Sequence, residues 1–244
     1  MRYINSEENL KENYLKNYAI ILASGTGDRF GSKIPKQFVE ISNRTILERT
    51  IDIFEQSERI DEIIVVITPD YKELAQNIIV KNKYKKISKL PKGGAIRKES
   101  SYNGVFAIND EEANVLIHDC ARPFVSQEII NNCVEALKFH NAVLTAIPST
   151  DTIVKIKNDM VSSIPLRSEL MCAQTPQCFK LSLIKKAHEL SKNDNDFTDD
   201  CGLIVKYNLA SVFIVKGSSE NIKITYNTDI YTANAILKQR NTSN

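Results

Sequence analysis

Short apolar runs rich in β-branched residues alternate along the chain with longer stretches in which apolar residues recur every three or four positions. The first pattern suits strands buried on both faces, and the second suits helices that cover a sheet. Strands are predicted at Tyr18–Ala23, Ile63–Thr68, Lys86–Leu90, Val115–Ile117, Ala142–Ile147 and Ser211–Val215. Helices are predicted at Ile46–Gln56, Lys72–Val80, Ser100–Ile108, Gln127–Phe139, Leu181–Leu190 and Asp229–Lys238. Such alternation marks βαβ units, so the expected class is α/β: one doubly wound, Rossmann-like domain with a mainly parallel sheet. No linker rich in Pro, Gly or Ser divides the chain, which reads as a polar leader (residues 1–17) followed by a single domain (18–244).

The rhythm breaks between Ser149 and Gln177. A strand at Thr152–Lys157, a turn at Asn158-Asp159 and a strand at Met160–Ile164 precede a polar stretch that runs to Thr175-Pro176-Gln177. A hairpin outside the βα alternation is expected to project from the central sheet. Its apolar residues Val154, Ile156 and Ile164 cannot be buried by two short strands alone, so the segment at about 149–177 is expected to pack on a second subunit in a homodimer.

Charge and composition narrow the function. With Lys+Arg 32 against Asp+Glu 30 and no basic block, a nucleic-acid polymer is not an expected partner. The longest apolar runs fall far short of the roughly 20 residues that span a bilayer, and the leader lacks the apolar core of a secretory signal. No membrane partner and a cytoplasmic location are therefore expected. Five cysteines, an odd number with no C-x-x-C pair, read as buried reduced thiols rather than a disulfide or zinc framework.

Glycine placement carries the first chemical signal. Five of the 8 glycines fall in two short segments, Gly25, Gly27 and Gly31, then Gly93 and Gly94. The first cluster directly follows the first predicted strand, where open α/β sheets bind ligands and a glycine loop turns backbone N–H groups toward phosphate. Gly25, Gly27 and Gly31 spell G-x-G-x-x-x-G, one residue too long for a dinucleotide fingerprint, and Gly31-Ser32-Lys33 inverts the end of a Walker A loop. What remains is a glycine loop that carries two cations, Arg29 and Lys36. Asp119 ends a predicted strand at the same sheet edge, and Mg²⁺ takes one or two carboxylates plus phosphate oxygens. Asp119 is therefore the candidate metal residue, against a helix cap or a salt bridge to Arg122. His118 reads as a packed imidazole.

The stretch L-A-S-G-T-G-D-R-F-G-x-x-x-P-K-Q-F resembles the opening signature of the sugar-nucleotidyltransferase-like cytidylyltransferases. Gly93-Gly94-Ala95-Ile96-Arg97-Lys98-Glu99-Ser100, Ile117-His118-Asp119-Cys120-Ala121-Arg122-Pro123-Phe124, Thr175-Pro176-Gln177-Cys178-Phe179, Thr198-Asp199-Asp200 and Asn221-Ile222-Lys223-Ile224-Thr225 extend the resemblance along almost the whole chain after residue 17. Within that family the motifs are closest to the branch that acts on 2-C-methyl-D-erythritol 4-phosphate, with the ribitol 5-phosphate branch as the alternative.

The resemblance implies transfer of CMP from CTP to the phosphate of a small polyol phosphate, with Mg²⁺ or another divalent cation as cofactor. It implies that Arg29, Lys36 and Lys223 are catalytic cations at the triphosphate and the α-phosphorus. The nucleotide would be held by Ala23, Ser24, Gly25, Thr26, Gly27, Gly94, Ala95 and Ser100, with Arg97 ordering the second loop. The acceptor would be held by Arg122, Thr152, Arg167, Thr175 and Thr198, with Arg122, Thr152 and Arg167 reaching across from a neighbouring subunit. A nucleotide-binding protein without turnover is disfavoured because Arg29, Lys36, Asp119 and Lys223 are all present. A dinucleotide-dependent oxidoreductase is disfavoured by the glycine spacing.

Overall fold

The computed structural model describes residues 15–27, 30–31, 34–194 and 196–242. Its strands are β1 (Asn17–Ala23), β2 (Glu40–Ile41), β3 (Arg44–Thr45), β4 (Glu62–Ile67), β5 (Ile87–Lys89), β6 (Asn114–Asp119), β7 (Ala142–Pro148), β8 (Lys155–Lys157), β9 (Met160–Ser163), β10 (Met171–Lys180) and β11 (Val212–Lys216). Its helices are α1 (Ile46–Glu55), α2 (Lys72–Asn82), α3 (Arg97–Phe106), α4 (Gln127–Ala136), α5 (Leu181–Leu190), α6 (Asp200–Lys206) and α7 (Asp229–Thr242). Seven strands make one sheet in the order β11-β7-β10-β6-β1-β4-β5, parallel except for β10, which runs against both of its neighbours.

Strands β1 and β4 are near-continuous apolar runs, and all six residues of β6 are buried, because helices cover both faces of the sheet. The strand period of two sends Ala19, Ile21 and Ala23 into one core, with α1, α4 and α7. It sends Tyr18 and Ile20 into the other, beneath α3, α5 and α6. Each fully buried Ile or Phe contributes about 1.5–3 kcal/mol. Helix α1 starts where it does because Thr45 and Glu48 form a reciprocal capping box.

Three sequence expectations are corrected. The projecting segment ends near Leu170 rather than Gln177, because Met171–Lys180 enters the central sheet between β7 and β6. Its Gln174, Thr175, Pro176 and Gln177 belong to the expected polar stretch, yet their side chains are buried. Gln177 donates from Nε2 to Asp199 Oδ2 (2.8 Å) and accepts at Oε1 from the N–H groups of Asp200 and Cys201 (2.9 Å each). The Pro is accommodated where the ladder with β7 shifts register between Ala173 and Gln177. Helix α6 was not expected; the Asp199 carboxylate caps it by accepting from Gly202 N–H at 2.9 Å. The leader was expected to reach residue 17, but Asn17 opens β1, its N–H donating to Asp61 Oδ2 at 2.7 Å.

Outside the central sheet stands the separate two-stranded sheet β8–β9, whose residues are all exposed. Asn158 (φ 51) and Asp159 (φ 60) take the paired left-handed conformation of a tight hairpin turn. Ile153, Val154, Ile156, Met160, Val161, Ile164 and Leu166 are all exposed on this arm. Four of the five cysteines are buried free thiols, and Cys172, at the base of the arm, is exposed. No helix among the described residues is long and apolar enough to cross a membrane.

Candidate active site

The chain runs from β1 to β4 and β5 on one side, then returns to β6 on the other side of β1. A crevice opens outside the carboxyl ends of strands at such a switch. Here it is a cavity of about 700 Å³, lined by the loop after β1, the turn into α3, the end of β6, Phe197-Thr198 and the segment around Lys223.

Two glycines shape its floor. Gly27 has φ +76, and a Cβ there would meet Lys36 N at 3.3 Å. At Gly93 a Cβ would lie 2.2 Å from Ser24 Cβ, so only glycine lets the two loops touch. Hydrogen bonds then lock them together. Ser100 Oγ accepts from Ser24 Oγ (2.8 Å) and Gly94 N–H (3.0 Å) and donates to Ile96 O (3.2 Å). Its one proton and both lone pairs are thereby used, so Ser100 holds the loops in place. Gln37 adds a bond from Nε2 to Ala23 O at 2.7 Å.

The charged centre lies at the end of β6. Asp119 accepts from Arg97 Nε at Oδ1 (3.0 Å) and from Lys223 Nζ at Oδ2 (2.6 Å). Burial alone would raise this carboxyl, but the charges of Arg97, Lys223 and Arg122 outweigh it and hold Asp119 ionised, well below the usual carboxylate range. Behind it, Thr175 Oγ1 accepts from Asp119 N–H (3.1 Å) and donates to His118 Nδ1 (3.1 Å), while His118 Nε2–H donates to Arg122 O (3.0 Å). That network assigns the His118 tautomer. Burial lowers His118 to about 4, so its ring is neutral and packs against Phe54 with centroids 5.0 Å apart. Lys36 points into the same space and donates to Ile224 O at 3.0 Å.

Among the residues expected at the site, Ala23, Ser24, Gly25, Thr26, Gly27, Lys36, Gly94, Ala95, Arg97, Ser100, Asp119, Thr198 and Lys223 line this one cavity. Arg29 lies outside the described residues. Arg97 departs from expectation: its guanidinium turns away from the second loop to Asp119 and Asp200. Thr175 does not line the cavity, because its hydroxyl is spent beneath Asp119. Arg122 does not line it either and donates to Asn221 O (2.7 Å) and Ala173 O (3.3 Å). Thr152 and Arg167 lie exposed on the arm, with Arg167 donating to Thr150 O at 3.2 Å. The sequence reading missed Gln37 and Phe197, both cavity residues. Gln37 was legible inside the P-K-Q-F motif, whereas Phe197 carried no signal.

Asp119 is the one carboxylate lining the cavity among the described residues, and no cluster of three or more His, Cys, Asp or Glu side chains there could hold a metal. A single carboxylate fits an ion that arrives with most of its ligands supplied by a polyphosphate.

The family model described as IspD, 2-C-methyl-D-erythritol 4-phosphate cytidylyltransferase, matches residues 18–239. A 2-C-methyl-D-erythritol 4-phosphate cytidylyltransferase of Clostridium botulinum (strain Loch Maree / Type A3) is 42% identical over 227 residues, which cover 92% of this chain and 98% of the relative. The bifunctional ribulose 5-phosphate reductase/CDP-ribitol pyrophosphorylase Bcs1 of Haemophilus influenzae is 39% identical over 92% of this chain, which spans about half (49%) of that relative's length. The crystal structure of 4-diphosphocytidyl-2C-methyl-D-erythritol synthase from Anaerococcus prevotii superposes with a TM-score of 0.82 at 35% identity, over 92% of this chain and 96% of that one.

Proposed function

Because the chain belongs to the 2-C-methyl-D-erythritol 4-phosphate cytidylyltransferase family and is a cytidylyltransferase that uses CTP, we propose that its acceptor is 2-C-methyl-D-erythritol 4-phosphate, with Lys36, Lys223 and Asp119 at the reacting centre. The acceptor phosphate attacks the α-phosphorus of CTP, pyrophosphate leaves, and a CDP-polyol results. A phosphate nucleophile is already anionic at pH 7, so the protein's task is positioning and charge neutralisation rather than proton abstraction. Lys36 and Lys223 meet the charge that gathers on the phosphoryl oxygens, and the loops tied through Ser100 hold the nucleotide by their backbone. Well-placed donors of this kind contribute about 2.7–4 kcal/mol each.

The observation that carries this reading is the convergence of Gly25, Lys36, Gly94, Asp119 and Lys223, from four separate motifs, on one cavity at the sheet's switch point. A divalent cation would be held by Asp119 together with the phosphates, and it would supply charge neutralisation and orientation of the triphosphate. The apolar arm supports a homodimer in which Arg167 and Thr152 serve the partner's acceptor site. Ribitol 5-phosphate is the second reading, favoured by the likeness to Bcs1. Pyrophosphate release from CTP with each acceptor at equal concentration tests both. The first reading expects the larger kcat/KM with 2-C-methyl-D-erythritol 4-phosphate, and no release with either acceptor would overturn both.

A further inference from the structure

The last acidic residue of the Thr198-Asp199-Asp200 motif has no part in the chemistry above, yet it is one of the most thoroughly enclosed charges in the molecule, 1% exposed. Asp200 Oδ2 accepts from Arg97 NH1 at 2.8 Å, and Oδ1 accepts from the Ser101 hydroxyl at 2.5 Å. Its backbone N–H is held by Gln177 at 2.9 Å. With the Ser101 proton committed to Asp200, the 3.2 Å contact between Ser101 Oγ and His188 Nε2 requires the imidazole to donate. Burial lowers His188 to about 4, so it is a neutral prop rather than a second cation. Among the described residues, Asp200 therefore makes its ion pair with one cation, Arg97, and the contacts from Ser101 and Gln177 fix where that carboxylate points.

Arg97 in turn bridges two carboxylates, Asp200 through NH1 and Asp119 through Nε. The two cations on Asp119 are consequently unequal. Arg97 is a rigid fork clamped at its far end by a buried anion. Lys223 is a flexible side chain 38% exposed, with no second carboxylate partner among the described residues.

We propose that Asp200 is a positioning residue that pins Arg97 on Asp119 Oδ1, so that substrate binding exchanges Lys223, and not Arg97, away from the Asp119 carboxylate. Oδ2 is then the oxygen freed for the cation that arrives with the polyphosphate, and Lys223 is released toward the phosphates. The inference rests on the assignment of Asp119 to the reacting centre, and its test separates the two.

Asp200→Asn keeps the size and the acceptor for Ser101 but removes the charge that holds Arg97. In ¹⁵N NMR of the ligand-free protein, the Arg97 Nε–H signal is expected to exchange faster with water in Asp200→Asn, although the partner of Nε is Asp119. In the same variant kcat should fall about 10- to 100-fold, the usual cost of losing an outer partner of a site group, while the KM for CTP changes less than about threefold. Asp200→Glu should recover part of kcat. Ser101→Ala, which keeps the charge and loses only the bond that aims it, should give a smaller change in both readouts and serves if Asp200→Asn does not fold. An unchanged Arg97 signal or an unchanged kcat in a folded variant overturns the proposal. If Asp119→Asn itself keeps wild-type activity, the reading of the site fails instead.

Discussion

Replacing Gly93 with alanine adds one methyl group where the two nucleotide loops touch. The new carbon would lie 2.2 Å from Ser24 Cβ and 2.7 Å from Ser24 Oγ. Carbon atoms settle about 3.5–4.0 Å apart, so the loops must part by about 1.3 Å or more. That movement breaks the Ser24–Ser100 bond and displaces the Gly94 N–H, and a shift near 1 Å at a substrate-positioning group costs about 100-fold in rate. Overpacking also costs about 1–3 kcal/mol of stability, so a comparator is needed. At Gly217 a Cβ would lie 2.3 Å from Gln174 Oε1, an overlap of similar size outside the cavity. Both variants should lose stability in urea unfolding. Only Gly93→Ala should lose about 100-fold in kcat/KM for CTP, measured by pyrophosphate release. Equal kinetic losses in the two variants, or a wild-type KM and kcat in Gly93→Ala, would refute the argument that loop contact builds the nucleotide site.

Lys36→Ala should lower kcat by about 10²–10³ and change the KM for CTP far less, because its charge is needed most as the α-phosphorus crowds; steady-state kinetics check this, and an unchanged kcat removes Lys36 from the reaction. EDTA should abolish turnover, and Asp119→Asn should shift the Mg²⁺ concentration for half-maximal rate upward; full activity without divalent ions would take Asp119 out of the metal site. Mixing Arg167→Ala with Lys36→Ala chains should restore activity through the one intact site of a mixed dimer, read after subunit exchange; no recovery in confirmed heterodimers means that Arg167 acts in its own subunit or not at all. His118 and His188, ordinarily near 6.5 and lowered to about 4 by burial, are neutral when folded and take up protons on unfolding below pH 6.5. Their contribution is present above that pH and drains away as pH falls toward 4, so unfolding free energy in urea should drop by about 2 kcal/mol per histidine from pH 7 to pH 5; equal stability at the two pH values would contradict it.

The elements read best from sequence were those whose pattern matched their environment. The runs behind β1 and β4 are almost wholly apolar because both of their faces are covered, and Ile46–Gln56 shows its helical period in the residues themselves. Strand β10 was missed because Gln174, Thr175 and Gln177 are polar and buried, and a linear pattern cannot say which polar side chains will find partners. Helix α6 is seven residues long, too short for a period to emerge. The cavity residues came largely from ordered motifs, and glycine placement by itself locates the loop. What sequence could not give was direction: Arg97 stands beside the second loop in the chain but points to Asp119, and Thr175 supports a backbone N–H from below.

The antiparallel strand has a consequence for synthesis. β6 is complete at Asp119 and β7 at Pro148, but the slot between them is filled by β10, which ends at Lys180. β1, β4, β5 and β6 can pair as soon as Asp119 has left the ribosome. β7 has no sheet neighbour until β10 or β11 is made, and the arm must be spun out first. At about 5–20 residues per second, the roughly 60 residues from Asp119 to Lys180 take about 3–12 s. For that interval the edge of β6, whose six residues are all buried in the finished fold, stays open to any other nascent strand. Strand order, not chain order, therefore sets when this protein is most vulnerable to joining the wrong partner.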